Sequence, residues 1–301
     1  MNYIFILNPA AGKNKKALSL IPDIQKLCKK NGLHYQIHIS ESGEEITRFV
    51  NAMCGDGQQY RVYAFGGDGT LNNVLNGCIG AENVEVGVIP MGTGNDFIKN
   101  FGVDEKDYFD IEKQLFAPSR KIDTICYNGK YCVNMCNIGF DANIAVDMPM
   151  FKKIPLVGNH TAYGLSVVYN LMKKLGMYME IYADGKLLYK GNTLMCAVAN
   201  GISCGGGFYV TPKASADDGL IDISAVVTPT FTQLPMYIKS FLTATHLENP
   251  AMKPYINYTT CKKARIVARK NFALVNDGEA EYLSDVSFEI VPEAVNFIVP
   301  V

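Results

Sequence analysis

The sequence predicts an α/β chain: an N-terminal domain built on an open parallel sheet, followed by an antiparallel β-rich, sandwich-like domain carrying a few helices. Three observations predict it. Short apolar runs alternate with helical patterns over residues 1–125, the signature of parallel strands joined by crossover helices. Two successive strand-like runs end in glycine-rich turns that open helices, which puts both turns at the carboxyl edge of one sheet. Beyond residue 120, Asn128-Gly129 and Asp184-Gly185 sit between strand-like runs as two-residue hairpin turns, the mark of antiparallel pairing.

Residues 3–7 form the first strand, broken by Asn8-Pro9-Ala10-Ala11-Gly12. A single helix is expected next, with Ala17, Leu20, Ile21, Ile24, Leu27 and Cys28 on one face. Residues 35–39 alternate like a strand, and Ser42-Gly43-Glu44-Glu45 reads as a capping box for the following helix. The third strand, residues 61–65, runs into Gly66-Gly67-Asp68-Gly69-Thr70 and a helix through Leu71, Val74, Leu75 and Cys78. The fourth, residues 86–89, runs into Pro90-Met91-Gly92-Thr93-Gly94-Asn95-Asp96 and a short helix. In the second half, strand-like runs lie at residues 193–200, 220–227, 265–268, 273–276 and 286–291, with helical patterns at 161–174 and 231–243. The domains are expected at 1–125 and 126–291, the terminal run of about 292–301 being able to return to the first.

Composition excludes several classes. The 301 residues are 48% apolar and 19% charged, a globular balance. A net charge of -1 offers no global field for nucleic acid, so no nucleic-acid partner is expected. Nine scattered cysteines without a CxxC, and four dispersed histidines, argue for thiols in a reducing cytosol rather than a zinc site. The N-terminus lacks a basic segment before its short apolar run, and no stretch is apolar for long enough to span a bilayer.

Glycines between a strand and a helix let backbone amides approach a phosphate, aided by the helix dipole. Gly66-Gly67-Asp68-Gly69-Thr70 has that composition and context. Asp68 would repel phosphates directly, so it is expected to act through Mg²⁺. Gly92-Thr93-Gly94-Asn95-Asp96-Phe97 approximates a dinucleotide fingerprint but has Phe97 where the third glycine belongs, and the stretch about 20 residues on, where an acidic residue should end the next strand, is a charged helical segment. No Gly-Lys pair is followed by Ser or Thr, which rules out a Walker loop, and protein-kinase HRD and DFG motifs are absent.

Taken in order, Asn8-Pro9-x-x-Gly12, Gly66-Gly67-Asp68-Gly69-Thr70 and Pro90-Met91-Gly92-Thr93-Gly94-Asn95-Asp96-Phe97 resemble the diacylglycerol kinase catalytic-domain family, which includes bacterial lipid kinases and sphingosine kinases. Asn200-Gly201, Gly205-Gly206-Gly207, Pro212, Asp217-Asp218-Gly219-Leu220-Ile221-Asp222 and Asp277-Gly278-Glu279 extend the resemblance over nearly the whole chain. The glycine-aspartate element alone is shared with NAD kinases.

The resemblance implies an ATP-dependent lipid kinase with its site in the cleft between domains. Gly66, Gly67, Asp68, Gly69, Thr70, Leu71, Asn72 and Asn73, with Gly92, Thr93, Gly94 and Glu279, would attend ATP, and Asn8, Gly12 and Ser40 would line the same edge. Asp277 would be the catalytic base that orients and deprotonates the lipid hydroxyl. Asp68, Asp96 and Asp123 would converge on Mg²⁺ through water, and Ser215, Asp218 and the Leu220 carbonyl would form a structural metal loop. The expected partner is diacylglycerol or a similar membrane lipid, met by a cytoplasmic protein bound peripherally to the inner membrane face; a homodimer stays open. The run from Asp147 to Val157, read as a loop, would reach the lipid with Lys152 and Lys153, and Lys13, Lys15 and Lys16 form a second basic cluster. The alternatives are NAD-kinase-like phosphorylation of a soluble nucleotide and a non-catalytic nucleotide- or lipid-binding regulator.

Overall fold

The computed structural model describes residues 1–12, 16–154, 157–276 and 279–300. Its first half is a parallel sheet of β1 (Asn2–Leu7), β2 (Tyr35–Ile39), β3 (Tyr60–Gly66) and β4 (Val84–Pro90) in the order β2-β1-β3-β4. The registers align Ile39, Leu7, Phe65 and Ile89 across the four strands, so the loops that follow them share one edge. Helices α1 (Lys16–Ser19), α2 (Ile21–Lys30), α3 (Gly43–Asn51), α4 (Asp68–Gly77), α5 (Glu105–Phe109) and α6 (Ile111–Phe116) cover the sheet. Both faces bury continuous runs of branched and aromatic side chains, as parallel strands require.

The single helix expected after β1 is two, broken at Leu20. Pro22 in the first turn of α2 has no amide to donate to the turn before it, so the apolar stripe continues while the hydrogen-bond ladder does not. The capping box is half formed. Ser42 accepts from the Glu45 amide at 3.2 Å, but Glu45 turns to His38 at 2.7 Å and to the Glu41 amide at 3.4 Å.

The second half holds β5 (Ser119–Tyr127), β6 (Lys130–Cys132), β7 (Met135–Gly139), β8 (Met177–Ala183), β9 (Lys186–Ala199), the two-residue β10 (Ser203–Cys204) and β11 (Phe208–Tyr209), β12 (Ile221–Val227), β13 (Ile256–Cys261), β14 (Lys263–Asn276) and β15 (Glu279–Ile298). Helices α7 (Phe140–Lys152), α8 (Asn159–Leu171) and α9 (Leu234–Leu242) interrupt them. Both hairpin turns form as expected, with φ of 48° and 76° at Asn128-Gly129 and 46° and 76° at Asp184-Gly185. The two runs at 265–268 and 273–276 are one strand, β14, whose pairing with β15 shifts between Val267 and Phe272. Strands β9 and β14 bend between layers, pairing with β8 in one part and with β7 in another.

Strand β15 ties the halves together. It runs antiparallel to β14, bends at Glu293 (φ 52°), and ends parallel to β4 through Asn296 and Phe297. Phe297 is fully buried against Phe97 and Phe101, with ring centroids 5.1 and 5.0 Å away. The segment from Asp147 to Lys152, expected as loop, is the last part of α7; Pro155 and Leu156 lie outside the described residues.

His246 is fully buried, stacked on Phe241 at 4.1 Å, with Nε2 donating to the Val210 carbonyl at 3.2 Å. Burial pushes its pKa down from 6.5 to about 4. The depressed value means the fold holds the neutral ring, so its contribution is complete above pH 6.5 and is lost as pH falls from 6.5 towards 4. Urea unfolding of the wild type should weaken across that window by up to about 3 kcal/mol more than that of His246→Gln. Parallel pH profiles for the two proteins would refute this.

Candidate active site

Two loops meet at the shared edge of the first sheet. Gly67 caps α4, and the first amides of α4 have no partner within the helix. A Cβ on Gly67 would stand 2.9 Å from the Gly92 Cα, and one on Gly92 would stand 2.8 Å from the Gly67 Cα. The backbones therefore touch, and only glycine allows it on either side. Gly66 is equally constrained, since a Cβ there would lie 2.3 Å from the Thr70 hydroxyl oxygen. The contact is held by the Met91 amide on the Gly66 carbonyl at 2.7 Å and by Asn95, at φ 46°, accepting from the Gly92 amide at 2.9 Å.

One cavity of about 380 Å³ lies beside this junction, lined by Asn8, Ser40, Gly67, Gly69, Thr70 and Asn73 among others. Asn8 donates to the Thr70 hydroxyl at 2.9 Å and Asn73 to the Gly69 carbonyl at 2.8 Å, while Ser40 donates to the Leu7 carbonyl at 3.3 Å. A second cavity of about 370 Å³ lies on the other side of the same loop, where Asp68, Gly94, Asp96, Asp141, Met148 and Tyr163 are among its lining residues.

The second cavity is acidic. Asp68 accepts from the Phe97 amide at 3.1 Å. Asp96 is ringed by the Lys99 ammonium at 2.5 Å, the Ser203 hydroxyl at 3.3 Å and the Gly206 amide at 2.8 Å. Among the described residues Asp141 accepts only the Cys204 thiol, at 3.6 Å. Burial raises the pKa of Asp68, and the Asp96 charge raises it further, against the pull of the Phe97 amide. Burial raises Asp141 likewise, offset by the Cys204 hydrogen bond and reinforced by Asp96.

Of the residues expected to converge, Asp68 and Asp96 come together and Asp123 stands apart. Asp123 is buried on β5 and lines neither cavity. One carboxylate oxygen accepts from the Gly219 amide at 2.7 Å and the other from the Glu293 amide at 2.8 Å, so it pins the loop before β12 and the bend in β15. Leu71 is buried in the core under α4, and Asn72 gives its carbonyl and side-chain oxygens to Asn76 at 2.9 Å. Gly12 (φ 75°), Gly66, Leu71, Asn72, Gly92 and exposed Glu279 do not line the first cavity; Thr93 lines the second. Ser215 donates to Asp217 at 2.7 Å, and Asp218 accepts from the Leu220 amide at 3.0 Å. Burial, and then the nearby Asp123 and Asp217 charges, raise the pKa of Asp218, as a locus short of positive charge should. Asp277, Lys13 and Lys15 lie outside the described residues.

Sequence reasoning missed Asp141, Tyr163 and Cys204. Asp141 did carry a signal: it opens a helix directly after an apolar strand ending in Gly139, the same arrangement that singled out Asp68. Gly139 itself has φ 95°, and a Cβ there would meet the Leu194 carbonyl at 2.6 Å.

The Diacylglycerol kinase catalytic domain model matches residues 2–127, and the YegS C-terminal NAD kinase beta sandwich-like domain model matches residues 134–299. The chain belongs to the diacylglycerol kinase and YegS-like lipid kinase family. It is 26% identical over 278 residues to a probable lipid kinase YegS-like from Shewanella frigidimarina, covering 90% of this chain and 86% of that one. It is 28% identical over 286 residues to a diacylglycerol kinase from Bacillus subtilis, covering 91% and 88%. A crystal structure of a diacylglycerol kinase from Bacillus anthracis superposes with a TM-score of 0.70 over 99% of this chain and 96% of that one, at 19% identity, and so shares the fold. Membership of this lipid kinase family makes the chain a phosphotransferase.

The raised pKa of Asp68 has a consequence for stability. Its charged form is disfavoured in the fold, so the destabilisation appears as pH rises through the folded-state pKa and vanishes below the ordinary carboxylate range. In metal-free buffer at pH 7.5, Asp68→Asn should melt roughly 2–4 °C above wild type, with the gain disappearing as pH falls towards 4. A variant that melts lower than wild type at neutral pH would contradict this account.

Proposed function

We propose that this lipid kinase family member transfers the γ-phosphoryl group of ATP to the hydroxyl of a membrane lipid, with diacylglycerol or a related glycerolipid as acceptor. The observation that carries this is the first turn of α4, which separates two cavities: Gly67, Gly69 and Thr70 face one, and Asp68 faces the other. Amides at a helix N-terminus with no side chain in front of them suit the phosphates of a nucleotide. Asn8, Ser40 and Asn73 supply polar groups on that side. The apolar wall of the opposite cavity, with Met135, Ala145, Met148 and Val275, suits an acyl chain better than a second nucleotide, which favours a lipid over the NAD-kinase-like alternative.

Phosphoryl transfer needs positioning and charge compensation more than covalent help. Asp68 and Asp96 set two carboxylates beside the one Lys99 ammonium, a surplus of negative charge that a divalent cation fits. Among the described residues no three acidic, histidine or cysteine side chains gather to hold an ion directly. The residues therefore fit Mg²⁺ held through water by Asp68 and Asp96, the habit of a cation that dehydrates reluctantly. When bound there, Mg²⁺ would supply neutralisation of the phosphate charge. Lys99 and the Gly206 amide fix the Asp96 carboxylate, and the Phe97 amide fixes Asp68. Asp277 is the proposed base; it follows β14, whose Val275 lines the acceptor cavity. Asp123 is proposed to act on this site through the backbone it holds, and Ser215, Asp218 and Leu220 to form a second, structural Mg²⁺ loop.

Access to the lipid is proposed through α7 and α8. On α8 the pattern is inverted: Ala162, Ser166 and Asn170 face inward, and Leu165, Val168 and Tyr169 face out, followed just past its end by Met172, 84% exposed. Ser166 donates to the Ile144 carbonyl at 2.8 Å and Asn170 to Asp147 at 2.9 Å, so the polar residues hold the helix pair together. An apolar outer stripe whose Tyr169 meets Phe151 at 5.8 Å, with exposed Lys152 and Lys153 directly after Phe151, suits an anionic bilayer surface. No helix among the described residues is long and apolar enough to cross a membrane.

Labelled ATP offered with diacylglycerol, other lipid alcohols and NAD in mixed micelles tests the reading. Label should enter a lipid, and Asp277→Asn should lower kcat at least 100-fold while the KM for ATP changes little. Label in NAD alone, or in no acceptor, would refute it. For the surface, Val168→Ser with Met172→Ser, and Lys152→Glu with Lys153→Glu, should each weaken binding to phosphatidylglycerol vesicles about 10-fold or more. Undiminished partitioning by both pairs would remove α7 and α8 from the interface.

A further inference from the structure

We infer that the acceptor cavity selects a lipid whose headgroup carries a second hydrogen-bond donor beside the hydroxyl to be phosphorylated, and that Asp141 receives that donor. The inference rests on the proposed lipid kinase reading and narrows its acceptor class.

The cavity has too many acceptors for its donors. Asp68, Asp96 and Asp141 all line it, and Asp96 alone is met by an ammonium, a hydroxyl and an amide together. Asp141 has one weak donor, the Cys204 thiol at 3.6 Å, and its other oxygen has no hydrogen bond among the described residues. Asn137 lines the same cavity from β7, is only 8% exposed, and its amide oxygen is buried without a partner among the described residues. Buried polar groups in folded proteins are normally satisfied, so an unsatisfied acceptor beside an under-satisfied carboxylate points to a ligand that brings donors. Hydrated Mg²⁺ at Asp68 and Asp96 is the competing source of donors for this cavity, and the half-saturating Mg²⁺ concentration separates the two.

The chemistry of the acceptors then discriminates. A 1,2-diacylglycerol offers one donor, the hydroxyl that reacts, and two ester carbonyls that can only accept. Turned towards Asp141 and Asn137, those carbonyls would leave the protein acceptors unpaired and place like dipoles together. A headgroup with a free hydroxyl or an ammonium next to the reacting hydroxyl would donate to Asp141 instead, as a charge-assisted hydrogen bond. The apolar side of the cavity, with Met148 and Ala145, still accommodates one chain. Sites built to bond a substrate hydroxyl reject analogues lacking it because their own buried groups are then stranded.

The test compares acceptors of matched chain in mixed micelles with the full-length protein: 1-monooleoylglycerol, with a second hydroxyl; a sphingoid base, with an ammonium; and 1,2-dioleoylglycerol, with neither. The wild type should favour the donor-bearing acceptors by about 10-fold or more in kcat/KM. Asp141→Asn should collapse that ratio towards one, mainly through the KM for the acceptor, with the KM for ATP and the half-saturating Mg²⁺ concentration unmoved. Asn137→Ala provides a second, uncharged route, and should reduce the ratio in the same direction. Preference for dioleoylglycerol, a ratio that both variants leave intact, or a shift in Mg²⁺ half-saturation in place of the ratio, would each overturn the assignment while leaving the lipid kinase reading standing. Absence of label in every lipid would sink both.

Discussion

The contact between the Gly67 and Gly92 backbones is the constraint on which the rest of the site depends. Two loops that follow neighbouring parallel strands are drawn together until no side chain fits between them. That closeness aims the start of α4 outward, puts Gly67, Gly69 and Thr70 on one side, and turns Asp68 to the other. Neither loop could do this alone. A wider separation would let water and side chains fill the junction, and the two cavities would no longer share a wall.

The second constraint is the path of β15. Its last residues lie parallel to β4 in the first sheet, yet most of its length belongs to the antiparallel layers. The bend between them is a two-part device: a left-handed backbone at Glu293, and the buried Asp123 carboxylate that accepts its amide. By also holding Gly219, Asp123 connects this bend to the loop that carries Asp218. A residue expected near the metal thus proves to organise backbone, through charge-assisted hydrogen bonds that replace its lost hydration.

The two surfaces proposed to meet a lipid are unusual in opposite ways. Helix α8 buries Ser166 and Asn170 and exposes Val168 and Tyr169, reversing the common pattern of a soluble helix. The acceptor cavity is crowded with carboxylate and amide oxygens that the fold leaves short of donors. Each arrangement costs stability in isolation, and stability is commonly yielded where a ligand or a surface completes the structure.

Much was legible in the sequence because its signals are local. The four parallel strands, the glycine loops, the two hairpin turns and the start of α3 each follow from backbone propensity within a few residues. The family resemblance was equally legible, since the glycines that permit Gly67 to touch Gly92 cannot be replaced without a clash. What the sequence could not state was which distant groups would meet. Glu45 looked like the partner of Ser42 until His38 competed for it, Asp123 looked like a metal-facing carboxylate until β15 bent over it, and Asp141 drew no attention until β10 brought Cys204 against it. The last two depend on contacts between residues far apart in the chain, which only the packing of β5 against β15 and of β10 against α7 decides.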